Sequence, residues 1–155
     1  MWDNIRSDGR TINKTNFTYN QGTFIGASDL LYKLTRTRSY FDNARQALDY
    51  TKNRMTTNGI LKSEPNSADL GGFKGIFCRW AFKFVKDNEL TSTYLPWFQL
   101  NANTAWEHKD ARGLMDQNWS AQTGTGVLNS WWCSGAVVLL QVCTPDVAAT
   151  PTPTR

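Results

Sequence analysis

Residues 69–87 read DLGGFKGIFCRWAFKFVKD, and this stretch decides the fold. From Phe73 to Asp87, the residues Phe73, Ile76, Phe77, Trp80, Ala81 and Phe84 recur at spacings of three and four, which lays a wide apolar face along an α-helix. Cys78, Phe82 and Val85 carry that face further round, and a helix apolar on most sides must be packed on most sides, so this segment predicts an inner helix. Lys74 and Arg79 stand near its start, where a cation opposes the helix dipole and calls for a compensating acid or ligand. Asp69 is the obvious acid, as partner in a structural ion pair.

Working outward, four more segments carry helical periodicity: about 23–35 (Ile25, Leu30, Leu31, Leu34), 39–55 (Phe41, Ala44, Leu48, Met55), 91–109 and 127–142. Asn58-Gly59 is read as the stop after the second of these. No segment shows the strict alternation of a half-buried strand, so the chain reads as all-α with about five main helices. The links near 36–38 and 88–89 are short, whereas 57–72 and 110–126 are long. Such alternation is what helical hairpins give, with tight joins at one rim and loose ones at the other. Glycines repeat on the same scale, with Gly22 and Gly26, Gly72 and Gly75, then Gly124 and Gly126 at or before the three inner helices. Long loops carry function more often than short ones, so the rim bearing 16–22, 63–72 and 110–126 is the candidate functional one.

Composition narrows the classes. The 155 residues are 40% hydrophobic and 19% charged, which fits one globular unit, read here as residues 1–143. The Pro- and Thr-rich segment 144–155 reads as a disordered tail. A net charge of +4 is spread over scattered Lys and Arg with no stripe, which argues against a nucleic-acid partner. The three cysteines have no CxxC spacing and His108 is the single histidine, which rules out the usual zinc patterns, so no metal site is expected and the cysteines read as buried thiols. Residues 1–10 are polar and lack a signal-like apolar segment, and no apolar run approaches the ~18 residues of a membrane span.

Three stretches on the rim carry chemistry: Thr18-Tyr19-Asn20-Gln21-Gly22; Asp69 to Trp80; and Ala105-Trp106 continued by Gly113-Leu114-Met115 and Asn118-Trp119. Amides donate and accept, which suits sugar hydroxyls, although Asn20 and Gln21 could equally cap a helix. Trp106 and Trp119 read as sugar platforms or as lids on the core. In this order and spacing, YNQG, then D…FKGIFCRW, then AW…GLM…NW resemble the C-terminal half of glycoside hydrolase family 76, the endo-α-1,6-mannanases, over about residues 2–142. The resemblance implies a partial (α/α)6 toroid with a cleft for α-1,6-linked mannan or mannooligosaccharide and no cofactor. It also implies a secreted, periplasmic or surface-attached setting. Carried over residue by residue, the implied substrate-binding positions are Tyr19, Asn20, Gln21, Gly22, Asp69, Phe73, Lys74 and Arg79, with Trp106 and Trp119 matching a third motif.

The family's catalytic pair is an Asp-Asp dipeptide ahead of YNQG, and no Asp-Asp occurs in this sequence. Retaining glycosidases need two carboxylates roughly 5–5.5 Å apart, so no catalytic residue is assigned. The leading reading is therefore a fragment of a mannan-active hydrolase that holds part of the sugar cleft. The alternative is a noncatalytic carbohydrate-binding half-toroid that self-associates through its open edge. A third reading recruits Asp69, Glu64 or Asp116 as replacement carboxylates.

Overall fold

The computed structural model describes residues 1–65, 67 and 69–143, so the tail read at 144–155 lies outside the described residues. Five helices form the framework: α1 (Thr18–Thr35), α2 (Arg38–Arg54), α3 (Phe73–Asp87), α4 (Thr91–Glu107) and α5 (Ser130–Val142). One 3-10 turn, Leu70–Gly72, leads into α3. The links expected to be short are short, at 36–37 and 88–90, and the long ones enter α3 and α5 at their N-terminal ends. α1 packs on α2 and on α3, and α3 packs on α5, so α1, α3 and α5 make the inner row of a partial (α/α) toroid built of helical hairpins.

Burial explains why α3 is apolar nearly all round. Phe84 meets Phe41 of α2 with ring centroids 5.5 Å apart, Phe77 meets Trp97 of α4 at 6.1 Å, and Phe82 meets Phe98 of α4 edge-on at 5.1 Å. Each such ring, buried almost completely, contributes on the order of 2–3 kcal/mol of transfer free energy. Towards α1 the approach is too close for side chains. A Cβ on Gly22 would fall 2.5 Å from the Phe77 Cα. Gly75 and Gly135 play the same part between α3 and α5, the built Cβ of Gly75 lying 3.2 Å from the Gly135 Cα. The repeat of packing glycines thus ends at Gly135 inside α5; Gly124 and Gly126, which the sequence pattern put in that role, face open space.

Two small antiparallel hairpins supplement the all-α framework. β1 (Asn4–Ile5) pairs with β2 (Ile12–Asn13), and β3 (Thr56–Thr57) pairs with β4 (Ile60–Leu61). Asn58-Gly59, read from sequence as a helix stop, is the turn of the second hairpin. Both residues have positive φ, 52° and 81°, the requirement of a type I′ turn. The hairpin is docked on α4 by the buried Asn101, whose amide donates to the Gly59 carbonyl at 3.1 Å and accepts the Leu61 N–H at 2.9 Å. Trp97 Nε1 donates to the same Gly59 carbonyl at 2.7 Å. Residues 61–65 are thereby held against the N-terminal end of α1.

Candidate functional site

The N-terminal end of α1 is built by a residue far away in sequence. Phe17 occupies the cap position and offers no side-chain acceptor, so the first free N–H groups need one from elsewhere. Glu64 supplies it: one carboxylate oxygen accepts from the Thr18 N–H at 2.8 Å and from the Thr18 hydroxyl at 2.5 Å. Burial pushes the Glu64 carboxyl above the usual glutamate range, opposed by the two Thr18 donors and the nearby charge of Lys74. A carboxylate at this place also favours the positive end of the helix dipole. With that cap, α1 begins at Thr18 rather than near Thr23, and Tyr19, Asn20, Gln21 and Gly22 form its first turns instead of a preceding loop.

Asp3 organises the polar groups of this turn. Its carboxylate accepts from Tyr19 Oη at 2.8 Å, Asn20 Nδ2 at 3.1 Å, Asn13 Nδ2 at 2.8 Å and Asn4 Nδ2 at 2.6 Å. Those donors, Asn20 foremost, hold the Asp3 carboxyl below its usual range against the opposing effect of burial. Burial and the Asp3 carboxylate in turn keep the Tyr19 phenol protonated. Four donors fill the acceptor capacity of a carboxylate, so Asp3 acts as a strut between the β1–β2 hairpin and α1. Gln21 has no exposed surface; its amide spans the Met1 backbone, donating to the carbonyl at 2.9 Å and accepting from the terminal amine at 3.1 Å. What the turn presents outward is aromatic: Tyr19 and Phe73 lie 4.3 Å apart, centroid to centroid, with Phe17 edge-on to Phe73 at 5.8 Å.

Lys74 is not paired with Asp69. The ammonium is fully buried, donates to the carbonyls of Gln117 and Leu61 (the latter at 3.5 Å), and lies 4.0 Å over the Trp119 ring. Asp69 is exposed, and its carboxylate accepts a long bond, 3.4 Å, from the Ser67 hydroxyl. The expected ion pair gives way to a cation shared by two main-chain oxygens, one from each long loop, and an aromatic face. The partners also include loop 110–123, which is closed on itself by Asp110, whose carboxylate accepts the N–H groups of Arg112 and Leu114 at 2.9 Å each. His108 Nδ1 meets the Trp119 carbonyl at 2.8 Å, and Trp119, 1% exposed, is a plug beneath that loop. Trp106 is half-buried against the core with the Lys109 ammonium 4.3 Å from its ring.

Burial lowers the Lys74 pKa to about 7, against the charges of Cys78, Glu64 and Asp116, which raise it. The unfolded chain keeps this lysine protonated up to about 10.5, so between pH ~7 and ~10.5 the unfolded state binds more protons and the free energy of unfolding rises with pH. The contribution is complete above about 10.5 and is lost as pH falls through 7. Urea unfolding of the wild type and of Lys74→Met at pH 7 and pH 9 checks this: the stability difference between them widens at pH 9.

Of the expected site residues, Gln21, Gly22, Lys74 and Trp119 are buried and Asn20 nearly so, while Tyr19 and Phe73 are half-buried and Asp69 and Arg79 exposed. The structure brings Tyr19, Asn20 and Phe73 together at the N-terminal ends of α1 and α3, and sets Trp106 apart from them on α4. Sequence reading missed Asp3 and the capping role of Glu64. A turn signal at Asp8-Gly9 was available for the first hairpin, but nothing local announces a cap supplied from 46 residues away. Of the candidate replacement carboxylates, Glu64 is taken up by Thr18, and Asp116 accepts the Gln117 N–H at 2.7 Å. Among the described residues no group of three or more His, Cys, Asp or Glu could hold a metal ion, the cysteines are free thiols, and no helix is long and apolar enough to cross a membrane.

Helical hairpins with inner-helix N-termini and long loops on one rim make a partial (α/α) toroid. The sequence profile of glycosyl hydrolase family 76 matches residues 1–147, and the chain belongs to that family. Among solved structures it is similar to the α-1,6-mannanase GH76A of Salegentibacter sp., at 32% identity over 89% of this chain with a TM-score of 0.78. An inactive variant of that enzyme, with two consecutive aspartates replaced by asparagine and α-1,6-mannotriose bound, matches at 30% identity over 91% with a TM-score of 0.82. The Lin0763 protein of Listeria innocua matches at 32% identity over 85% with a TM-score of 0.77. The chain spans 38% of the length of the Listeria protein and 44% of each of the two mannanase structures. Comparison with curated proteins gives no match.

Proposed function

We propose that this chain carries part of an α-1,6-mannan-binding cleft and does not by itself hydrolyse mannan. The observation that carries the reading is the 0.82 TM-score match to an α-1,6-mannanase holding mannotriose, together with an outward-facing aromatic pair, Tyr19 and Phe73, on the rim where inner helices begin. Aromatic faces stack on sugar rings, and the fixed polar groups around them set orientation. Tyr19, Phe73, Asp69 and Arg79 have the surface to touch a sugar. Asn20, Gln21, Gly22, Lys74 and Trp119 hold that surface in place. Hydrolysis depends on a carboxylate pair of the family's kind, and this sequence contains no Asp-Asp dipeptide. Isothermal titration with α-1,6-mannotetraose tests the cleft: the wild type binds, and Phe73→Ala weakens binding by about threefold to tenfold. Equal affinity of wild type and variant would remove Phe73 from the cleft.

A second reading, a noncatalytic half-toroid that self-associates, is favoured by one observation. Leu34 of α1 is 81% exposed and Val137 of α5 is 47% exposed, apolar surface at the two ends of the inner row. Sedimentation velocity separates the two: a concentration-independent dimer supports self-association, and a monomer refutes it.

A further inference from the structure

A pocket of about 350 Å³ lies between the C-terminal end of α2, residues 15–18 and the segment that follows the second hairpin, outside the residues assigned to the mannan cleft. Local geometry fills it. Tyr50 and Arg54 are four residues apart on α2, so they are neighbours on one face of that helix. The Lys62 N–H donates to the Met55 carbonyl at 3.0 Å, which extends the β3–β4 pairing by one residue and sets Lys62 across from the residue that follows Arg54. Two separate elements thus bring one cation each to the same pocket. Phe17 lines it as well, and the Phe17 ring also belongs to the rim, 6.2 Å from the Tyr19 ring and 5.8 Å from that of Phe73.

Many of the chain's cations are taken up. Lys33, Arg38, Arg45, Lys83 and Arg112 stand in ion pairs, and Lys14, Lys52 and Lys109 lie over aromatic rings. Arg54 and Lys62 are exposed, and among the described residues neither side chain has an ion-pair, hydrogen-bond or ring partner. A cation in the last turn of α2 complements the helix dipole, which accounts for Arg54 alone. It does not account for Lys62, which reaches the same pocket from another element. The acid on the wall, Glu64, pairs with neither; it is 7% exposed and accepts both Thr18 donors. Two positive charges on one concave surface concentrate anions there. An arginine fork beside a lysine point charge suits the oxygens of a phosphate. The volume falls within the roughly 300–1,000 Å³ of ligand sites, and the shared Phe17 places the pocket where a group carried on a rim-bound glycan can enter it.

We propose that the pocket between α2 and the second hairpin binds a phosphate group esterified to the mannan, with Arg54 and Lys62 as its anion-binding residues. The inference rests on the reading of the rim as a mannan cleft and names the substrate class that cleft prefers, phosphate-substituted over neutral mannan. The test is calorimetric titration of the full chain with three probes: a phosphate-bearing α-mannan, the same mannan after removal of its phosphate esters, and inorganic phosphate. Wild type is compared with the double variant Arg54→Ala, Lys62→Ala, whose substitutions are at exposed positions, with folding checked by circular dichroism. At low salt the wild type is expected to bind the phosphate-bearing mannan about tenfold more tightly than the dephosphorylated one, a preference that shrinks at about 0.5 M NaCl. The double variant is expected to bind both mannans as the wild type binds the dephosphorylated one. Equal affinity of the wild type for the two mannans, or a preference that survives in the double variant, overturns the phosphate site and leaves the rim standing. Inorganic phosphate bound as tightly as the phosphate-bearing mannan shows a site for the free ion and overturns the assignment to an ester. Dephosphorylated mannan left unbound by the wild type overturns the rim reading and, with it, this one.

Discussion

Gly22→Ala lowers the stability of this protein by about 3 kcal/mol or more, while Gly124→Ala leaves it within about 0.5 kcal/mol of wild type. The difference lies in what each new methyl group meets. At Gly22 the Cβ would stand 2.5 Å from the Phe77 Cα, 2.9 Å from its N and 3.0 Å from the Ile76 carbonyl oxygen, all backbone atoms of the facing inner helix. No side chain can rotate out of the way, so α1 and α3 must separate along their shared interface and loosen the contacts that bury Ile25 and Phe77. At Gly124 nothing lies within 4 Å and φ is not positive, so the substitution adds neither clash nor strain. Chemical denaturation of the two variants side by side checks this, and equal effects would show that the glycine repeat does not set the helix spacing.

Lys74→Met costs about 2–4 kcal/mol. Methionine fills a similar volume, so the loss is not mainly a cavity; it comes from leaving the Leu61 and Gln117 carbonyls without their shared donor in a buried place. Those carbonyls belong to the two long loops of the rim, so the damage is local as well as global. Hydrogen exchange of residues 61–65 and 115–123 is expected to rise in Lys74→Met by more than that of α2. Uniform protection across the chain would contradict a stapling role.

The framework was legible in the sequence because it rests on periodicity. The wide apolar face of α3 announced a helix contacted on most sides, and alternating loop lengths announced hairpins. The start of α1 was not legible. Thr18, Asn20 and Gly22 are weak helix formers and Phe17 cannot cap, so local propensity places the beginning after Gly22, whereas Glu64 supplies the missing acceptor from a distant segment. The second hairpin escaped for a different reason. Its strands are two residues long, too short to alternate, although Asn58-Gly59 is itself a strong type I′ signal. The partners of Lys74 are not legible because Asp69 is its nearest acid in sequence, while its acceptors lie 13 and 43 positions away along the chain. The roles of the candidate site residues were not legible: motif matching cannot tell Tyr19, which has surface, from Gln21, which has none.

The most direct test of a mannan cleft without its own hydrolytic centre is one NMR titration of the full chain with α-1,6-mannotetraose, following the protein resonances and the sugar's anomeric protons together. Saturable shifts at Tyr19 and Phe73 with the tetraose intact after prolonged incubation are the expected result. New reducing-end signals from cleavage, or no shift at either residue at millimolar sugar, would contradict the account.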